Sequence, residues 1–326
     1  THWSLLALLD KPAVARGAER LVMSSSSIIV LGSVNTDLVI RAPRIPAPGE
    51  TVLGGEYFQA PGGKGANQAV AAARAARKAV TFVAAVGDDD FGRAAIENFS
   101  RENLDDRHIL SIANQPSGVA LIFVDHRGEN AISVASGANL YLTPADVDAL
   151  PEELFAAADV FLSCLESPVE TVVRGLRRAR AAGLVTILNP APALSEIAVS
   201  EILSLVDVLT PNAGEAEMLS GRESAADAAV YLRRLGCGSV VTTLGAGGCL
   251  VSGETEVHIP GRRVTAVDTT AAGDAFNGAL AVALSEGKPL PEAARWATVA
   301  ASIAVTRAGA QPSLPGRVEI EAAVSG

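Results

Sequence analysis

Along this chain, short apolar runs with little polar interruption alternate with alanine-rich stretches in which apolar residues recur at helical spacing. SIIVLGSV (27–34), AVTFVAAV (79–86), DVFLSCLE (159–166), LVTILNP (184–190), DVLTPN (207–212) and SVVTTLG (239–245) are of the first kind; NQAVAAARAAR, ETVVRGLRRARAAG and ADAAVYLRRLG are of the second. A strand apolar on both faces is covered on both faces, as in a parallel sheet whose crossover helices pack above and below it. The pattern predicts an α/β fold: a doubly wound, mostly parallel sheet with helices on both faces. Residues 37–60 and 117–136 break the rhythm with short alternating strands, turn residues and no helix between them. They predict a small antiparallel β sheet, either edge strands or a lid over a ligand crevice at the carboxyl ends of the parallel strands.

Composition narrows the function classes. With 326 residues, 49% of them hydrophobic, the chain can bury one large core. A net charge of -10 without clustered Lys or Arg argues against a nucleic-acid partner, and no apolar run is long enough to suggest a membrane. Cys164, Cys237 and Cys249 are too far apart for a metal knuckle and odd in number, so a reducing, cytoplasmic location is expected. His2, His108, His126 and His258 lack zinc-site spacing. Residues 1–26 do not resemble the rest of the chain; they are expected to be a disordered extension, with Met23 as the natural start, ahead of a single domain over 27–326.

Several stretches carry candidate chemistry, each with a plainer reading beside it. In AVDTTAAGDAFNGALAVAL (266–284), Asp274 opens an apolar segment of helical period, where a carboxylate suits the positive helix end as a cap. The N–H groups of Ala271, Ala272 and Gly273 could there form an anion hole for charge developing on a transferred group, with Asp274 as the adjacent general base. PGGKGANQAV (61–70) is a glycine turn into a helix, or a loop bringing Gly63, Lys64, Gly65, Ala66 and Asn67 against a polyol; Gly65 after Lys64 rules out a Walker loop. Asn35 and Asp37 form an Asx turn or share sugar hydroxyls, and Glu166 ends another strand. Asn212 and Glu215 read as a capping box or as water-mediated Mg²⁺ ligands. TLGAGG, comprising Thr243, Leu244, Gly245, Ala246, Gly247 and Gly248, is a hairpin turn or a phosphate wrap. GDDDFG (87–92) reads as a solvated loop that caps the next helix.

Taken in order, LGSVNTD, PAPGET, PGGKGANQAVAAARA, SGVALIFVDHRGEN, LESP, LNPAPA, TPNAGEAE, TTLGAGG, VDTTAAGDAFNGAL and AVTRAGAQPS resemble the ribokinase branch of the PfkB carbohydrate kinases from about Ser27 to the C-terminus. GGKGAN together with DTxAAGD is the specific pair; N-x-D with the GAQPS tail points to the branch.

The resemblance implies ATP-dependent phosphorylation of D-ribose at its 5-hydroxyl. Asp274 would be the base and Ala271, Ala272 and Gly273 the anion hole. Asn35, Asp37, Gly63, Lys64, Gly65, Ala66, Asn67 and Glu166 would hold the sugar. Asn212, the Thr243–Gly248 loop, Gly273, Asp274 and Thr298 would line the nucleotide site, with Asn212 and Glu215 organising Mg²⁺ through water. A K⁺ ion would sit by Asp268, Thr270, Ala304, Arg307, Gly309 and Ser313, and the lid would pair in a homodimer. A kinase for 2-deoxyribose, another pentose or a nucleoside is the alternative enzyme, and a non-catalytic sugar or nucleotide sensor the alternative of a different class.

Overall fold

The computed structural model describes residues 27–194 and 202–325; the N-terminal extension expected over 1–26 lies outside them. The apolar runs become strands: β1 (Ile28–Leu31), β4 (Val80–Gly87), β8 (Val160–Cys164), β9 (Val185–Asn189), β10 (Val208–Leu209) and β11 (Ser239–Thr243). With β5 (Leu104–Ile112), β12 (Cys249–Ser252) and β13 (Glu256–Ile259) they form a nine-stranded sheet ordered β13-β12-β11-β10-β9-β8-β1-β4-β5. All neighbours are parallel except the two hairpin pairs at one end, β11 with β12 and β12 with β13.

Alternation along the central strands explains the two-sided core. Ile28 and Val30 of β1, with Phe82, Ala84 and Val86 of β4, share a core with α1 (Lys64–Ala75) and the helix Ala272–Ser285, on which the helix Leu290–Ala304 packs in turn. Ile29 and Leu31, with Val83 and Ala85, belong to the core on the opposite face, where Leu31 meets Gly175 of the helix Val169–Ala181. Each fully buried side chain of this size contributes about 1.5–3 kcal/mol, so neither face of β1 tolerates a polar residue. The strand order reverses between β1 and β8, and a doubly wound sheet opens its ligand crevice at such a switch point.

The rhythm-breaking stretches supply a separate four-stranded sheet from β2 (Asn35–Arg41), β3 (Glu56–Gly62), β6 (Gly118–Val124) and β7 (Asn130–Ala135), in the order β3-β2-β6-β7. Its outer pairs are antiparallel hairpins as expected, but the central pair, β2 with β6, is parallel. Both strands leave the main sheet in the same direction, because each follows a strand of that sheet, β1 and β5, and those two run the same way. Among the described residues no helix is long and apolar enough to cross a membrane.

Candidate active site

The loop after β1 and the start of α1 meet at the switch point. Gly63 has φ +90°, and a Cβ there would come within 2.7 Å of the Asn35 N and 2.9 Å of the Ser33 O, so only glycine lets the two segments touch. Glu166, just past β8, ties them together: its Oε2 accepts from Ser33 Oγ at 2.6 Å and from the Lys64 N–H at 2.9 Å. Asn35 is oriented by a residue that sequence reasoning missed. Asn139 accepts from the Val34 N–H at 2.8 Å and donates to Val34 O at 3.0 Å and to Asn35 Oδ1 at 2.9 Å. Asn35 Oδ1 thereby has a donor, and its Nδ2 has no acceptor among the described residues.

Asp274 departs from the plainer of its two readings. The helix Ala272–Ser285 is capped by Ala271 in a left-handed conformation (φ +58°), with no side-chain cap bond. Asp274 sits in the first turn, 7% exposed, and spends its oxygens elsewhere: Oδ2 accepts from Asn67 Nδ2 at 3.0 Å and Oδ1 from Gln68 Nε2 at 3.1 Å. The helix is also buried continuously from Asp274 to Ala283 rather than on one face, which fixes its start. At that start the N–H groups of Ala271, Gly273 and Asp274 have no acceptor among the described residues, whereas the Ala272 N–H closes a turn onto Thr269 O at 3.3 Å. The open donors therefore include Asp274's own N–H, while Ala272's is partly engaged.

Electrostatics bring the sugar-side candidates together. Burial, then the carboxylates of Glu166 and Asp274, push Asp37 up to about 6. Burial raises Asp274 as well, against the pull of Lys64 and the Asn67 and Gln68 hydrogen bonds. Lys64 is lowered by burial, but Asp274 and Glu166 outweigh this and hold the ammonium above its usual value. Asn67 Oδ1 is buried without a donor among the described residues, an acceptor that a polyol hydroxyl would satisfy.

On the other side of Asp274 lies a cavity of about 480 Å³. Of the residues foreseen, Thr243, Gly245, Ala246, Gly248, Gly273 and Thr298 line it; Leu244 and Gly247 lie on the same turn without lining it. The hairpin reading of TLGAGG holds, since the turn joins antiparallel β11 and β12, and one edge of the turn walls the cavity. Among the other lining residues, Arg262, Arg263 and Phe276 were not foreseen, since nothing local marks them. Asn212 is bridged to Thr243 and forms the full capping box with Glu215, at 2.8 and 2.9 Å. Glu215 Oε1 keeps no partner among the described residues, and burial raises its carboxyl.

The loop 268–270 is joined to the C-terminal loop by Asp268, which accepts from the Thr270 N–H at 2.9 Å and the Gly309 N–H at 2.8 Å. Burial works against ionisation there, but those bonds hold its carboxyl below its usual value. The carbonyls of Thr270, Arg307 and Gly309 have no donor among the described residues; that of Ala304 accepts from the Arg307 N–H at 3.0 Å, and Ser313 Oγ donates to Ala310 O at 2.7 Å. A cleft of about 1070 Å³ separates the concave side of the lid, including Asp37, from Asp268, Thr270 and Gly309.

Residues 25–317 match the pfkB family carbohydrate kinases. A ribokinase of Haemophilus influenzae is 44% identical over 300 residues, covering 90% of this chain and 96% of its own. Among solved structures, a ribokinase of Thermotoga maritima superposes with TM-score 0.84 at 38% identity, covering 92% of this chain and 100% of its own. An Arabidopsis thaliana ribokinase complexed with ribose and ATP superposes with TM-score 0.84 at 29% identity, covering 93% and 99%. Family match, relatives and fold agree over nearly the whole described chain, and the chain belongs to the pfkB family of carbohydrate kinases.

Proposed function

We propose that the chain transfers the γ-phosphoryl group of ATP to the 5-hydroxyl of D-ribose, and that residues 27–326 act as one kinase domain with the four-stranded sheet as its lid. The observation that carries this is the placement of Asp274: a buried carboxylate at the start of a fixed helix, beside unpaired N–H groups, between a polyol-sized polar cluster and a nucleotide-sized cavity. The similarity to ribokinases on both sequence and structure supports the sugar assignment.

Asp37, Asn35 and Asn67 would hold the sugar hydroxyls, and Glu166 would fix the loop that carries Lys64. Asp274 takes the proton of the attacking hydroxyl as that oxygen approaches the γ-phosphorus in line. The N–H groups of Ala271, Gly273 and Asp274 then face the growing negative charge, joined by the Lys64 ammonium. The apolar walls from Phe276, Ala301 and Val305 suit a purine ring. Lid closure would expel water from the cleft and protect the nucleotide from hydrolysis.

Mg²⁺ fits beside Asn212 and Glu215, whose free, partly buried Oε1 suits an ion held through its waters; when bound it neutralises phosphate charge. K⁺ fits the donor-free carbonyls near Asp268, and the exposed Ile40, Tyr57 and Leu121, on the face of the lid turned away from the cleft, support a homodimer through that sheet. A cytoplasmic location accords with the use of ATP.

A coupled ADP-release assay over D-ribose, 2-deoxyribose, other pentoses and nucleosides, with the product identified by ³¹P NMR, tests the proposal. Ribose should give the highest kcat/KM and yield the 5-phosphate. Turnover with a nucleoside alone would move the assignment to that class, and no turnover with any acceptor would leave a sensor.

A further inference from the structure

Thr210, at the end of β10, is the root of a buried polar network that the sugar and nucleotide sites do not account for. Its carbonyl can only accept, and it accepts from Asn189 Nδ2 at 3.0 Å. That fixes the Asn189 amide, so Asn189 Oδ1 faces Gln68 and accepts from Gln68 Nε2 at 3.0 Å. Gln68 is fixed in turn, and the same Nε2 reaches Asp274 Oδ1 at 3.1 Å. A flipped Gln68 would set its oxygen against both a carboxylate and a carbonyl oxygen. The other arm starts at Thr210 Oγ1, which donates to Asn277 Oδ1 at 2.6 Å, leaving Asn277 Nδ2 to donate to Gly273 O at 2.8 Å. That carbonyl belongs to the peptide whose N–H is Asp274's own, one of the unpaired donors of the anion hole. Gln68, Asn189, Thr210 and Asn277 are all buried, and Gln68 Oε1 is left without a donor among the described residues. A side chain selected for packing alone would not carry an unpaired buried oxygen inside an alanine-rich helix.

We propose that Gln68 is a positioning residue for the base: the polarity set at Thr210 obliges it to present a donor to Asp274, while the Asn277 arm fixes the adjoining anion-hole peptide. This rests on the phosphoryl-transfer reading above. The donor from Gln68 favours the ionised carboxylate, opposing the burial that raises its proton affinity. The charged and titratable groups facing Asp274 are Lys64 on α1, Asp37 on β2, Cys164 and Glu166 at the end of β8, and Glu215 on the helix Ala213–Ser220. Gln68 acts within that field as an uncharged donor of fixed direction.

The test follows the ¹³C-labelled carboxyl of Asp274 by NMR across pH in the full chain without sugar or nucleotide, assigned by its loss in Asp274→Asn. In Gln68→Met, which keeps the volume and removes the donor, the titration midpoint should move up by about one pH unit, a tenfold gain in proton affinity. The acid limb of the kcat profile should move with it, with KM for ATP within about twofold of wild type. Gln68→Glu is the second variant, for use if the first does not fold. Two carboxyl groups at that distance share one proton, so its shift should be larger. A folded variant of either kind whose Asp274 titrates like wild type overturns the proposal. A shifted titration in a protein that phosphorylates no sugar would leave the positioning intact and sink the kinase reading instead.

Discussion

The proton affinity of Asp37 gives a prediction in which binding and stability move in opposite directions. Its carboxyl is raised from 3.8 to about 6, first by burial and then by Glu166 and Asp274. A hydrogen bond to a charged acceptor contributes about 1.5–3 kcal/mol against 0.5–1.5 for a neutral one. Protonating Asp37 should therefore cost roughly tenfold in ribose affinity. The Kd of ribose, measured by calorimetry, should rise as pH falls through 6 and level off below about pH 5. Asp37→Asn should bind about tenfold more weakly at pH 8 and lose this step. For stability the sign is the reverse. Between pH 3.8 and 6 the folded state holds the Asp37 proton more tightly than the unfolded chain does, so stability declines as pH rises through that window. The difference amounts to about 3 kcal/mol above pH 6 and vanishes below the unfolded value. Asp37→Asn removes this cost, so its Tm should exceed that of wild type by several degrees at pH 8 and match it at pH 4. A pH-independent ribose affinity in the wild type, or an Asn variant less stable at pH 8, would refute the reasoning.

Further outcomes follow from the same geometry. Gly63→Ala, which drives a Cβ into the Asn35 backbone at positive φ, should destabilise the fold by about 1–3 kcal/mol in urea titrations and raise the KM for ribose more than that for ATP. Glu166→Ala leaves the Ser33 hydroxyl and the Lys64 N–H without their acceptor, and should raise the ribose KM at least about tenfold with the ATP KM nearly unchanged. Replacing Na⁺ by K⁺ should accelerate turnover in the wild type and not in Asp268→Ala, because that carboxylate joins the two loops whose carbonyls are proposed to hold the ion. For the proposed lid dimer, Leu121→Asp should shift sedimentation from dimer to monomer.

The strands of the parallel core were legible in the sequence because Ile28–Leu31 and Val80–Val86 are buried on both faces, and burial on both faces leaves no polar alternation to misread. β5 was not, since LDDRHILSI lies at the sheet edge and carries charge. The lid was visible as two hairpins, but its parallel β2–β6 pairing joins segments some eighty residues apart and has no local signature. At the site, the glycine turns and Asp274 announced themselves through the rule that helix starts attract anions. Gln68, Asn139, Asn189 and Asn277 did not, because an amide acquires its role from distant partners. The available signal was the oddity of amides inside apolar helices: Asn67 and Gln68 ahead of AVAAARA, and Asn277 within AFNGALAVAL.

Asp274 as the base is the central claim, and single-turnover phosphorylation of ribose by Asp274→Asn tests it most directly. The rate should fall by about 10²–10⁴ at pH 7.5, with ribose and ATP still bound and the thermal transition intact. Phosphoryl transfer at the wild-type rate by that folded variant would contradict it.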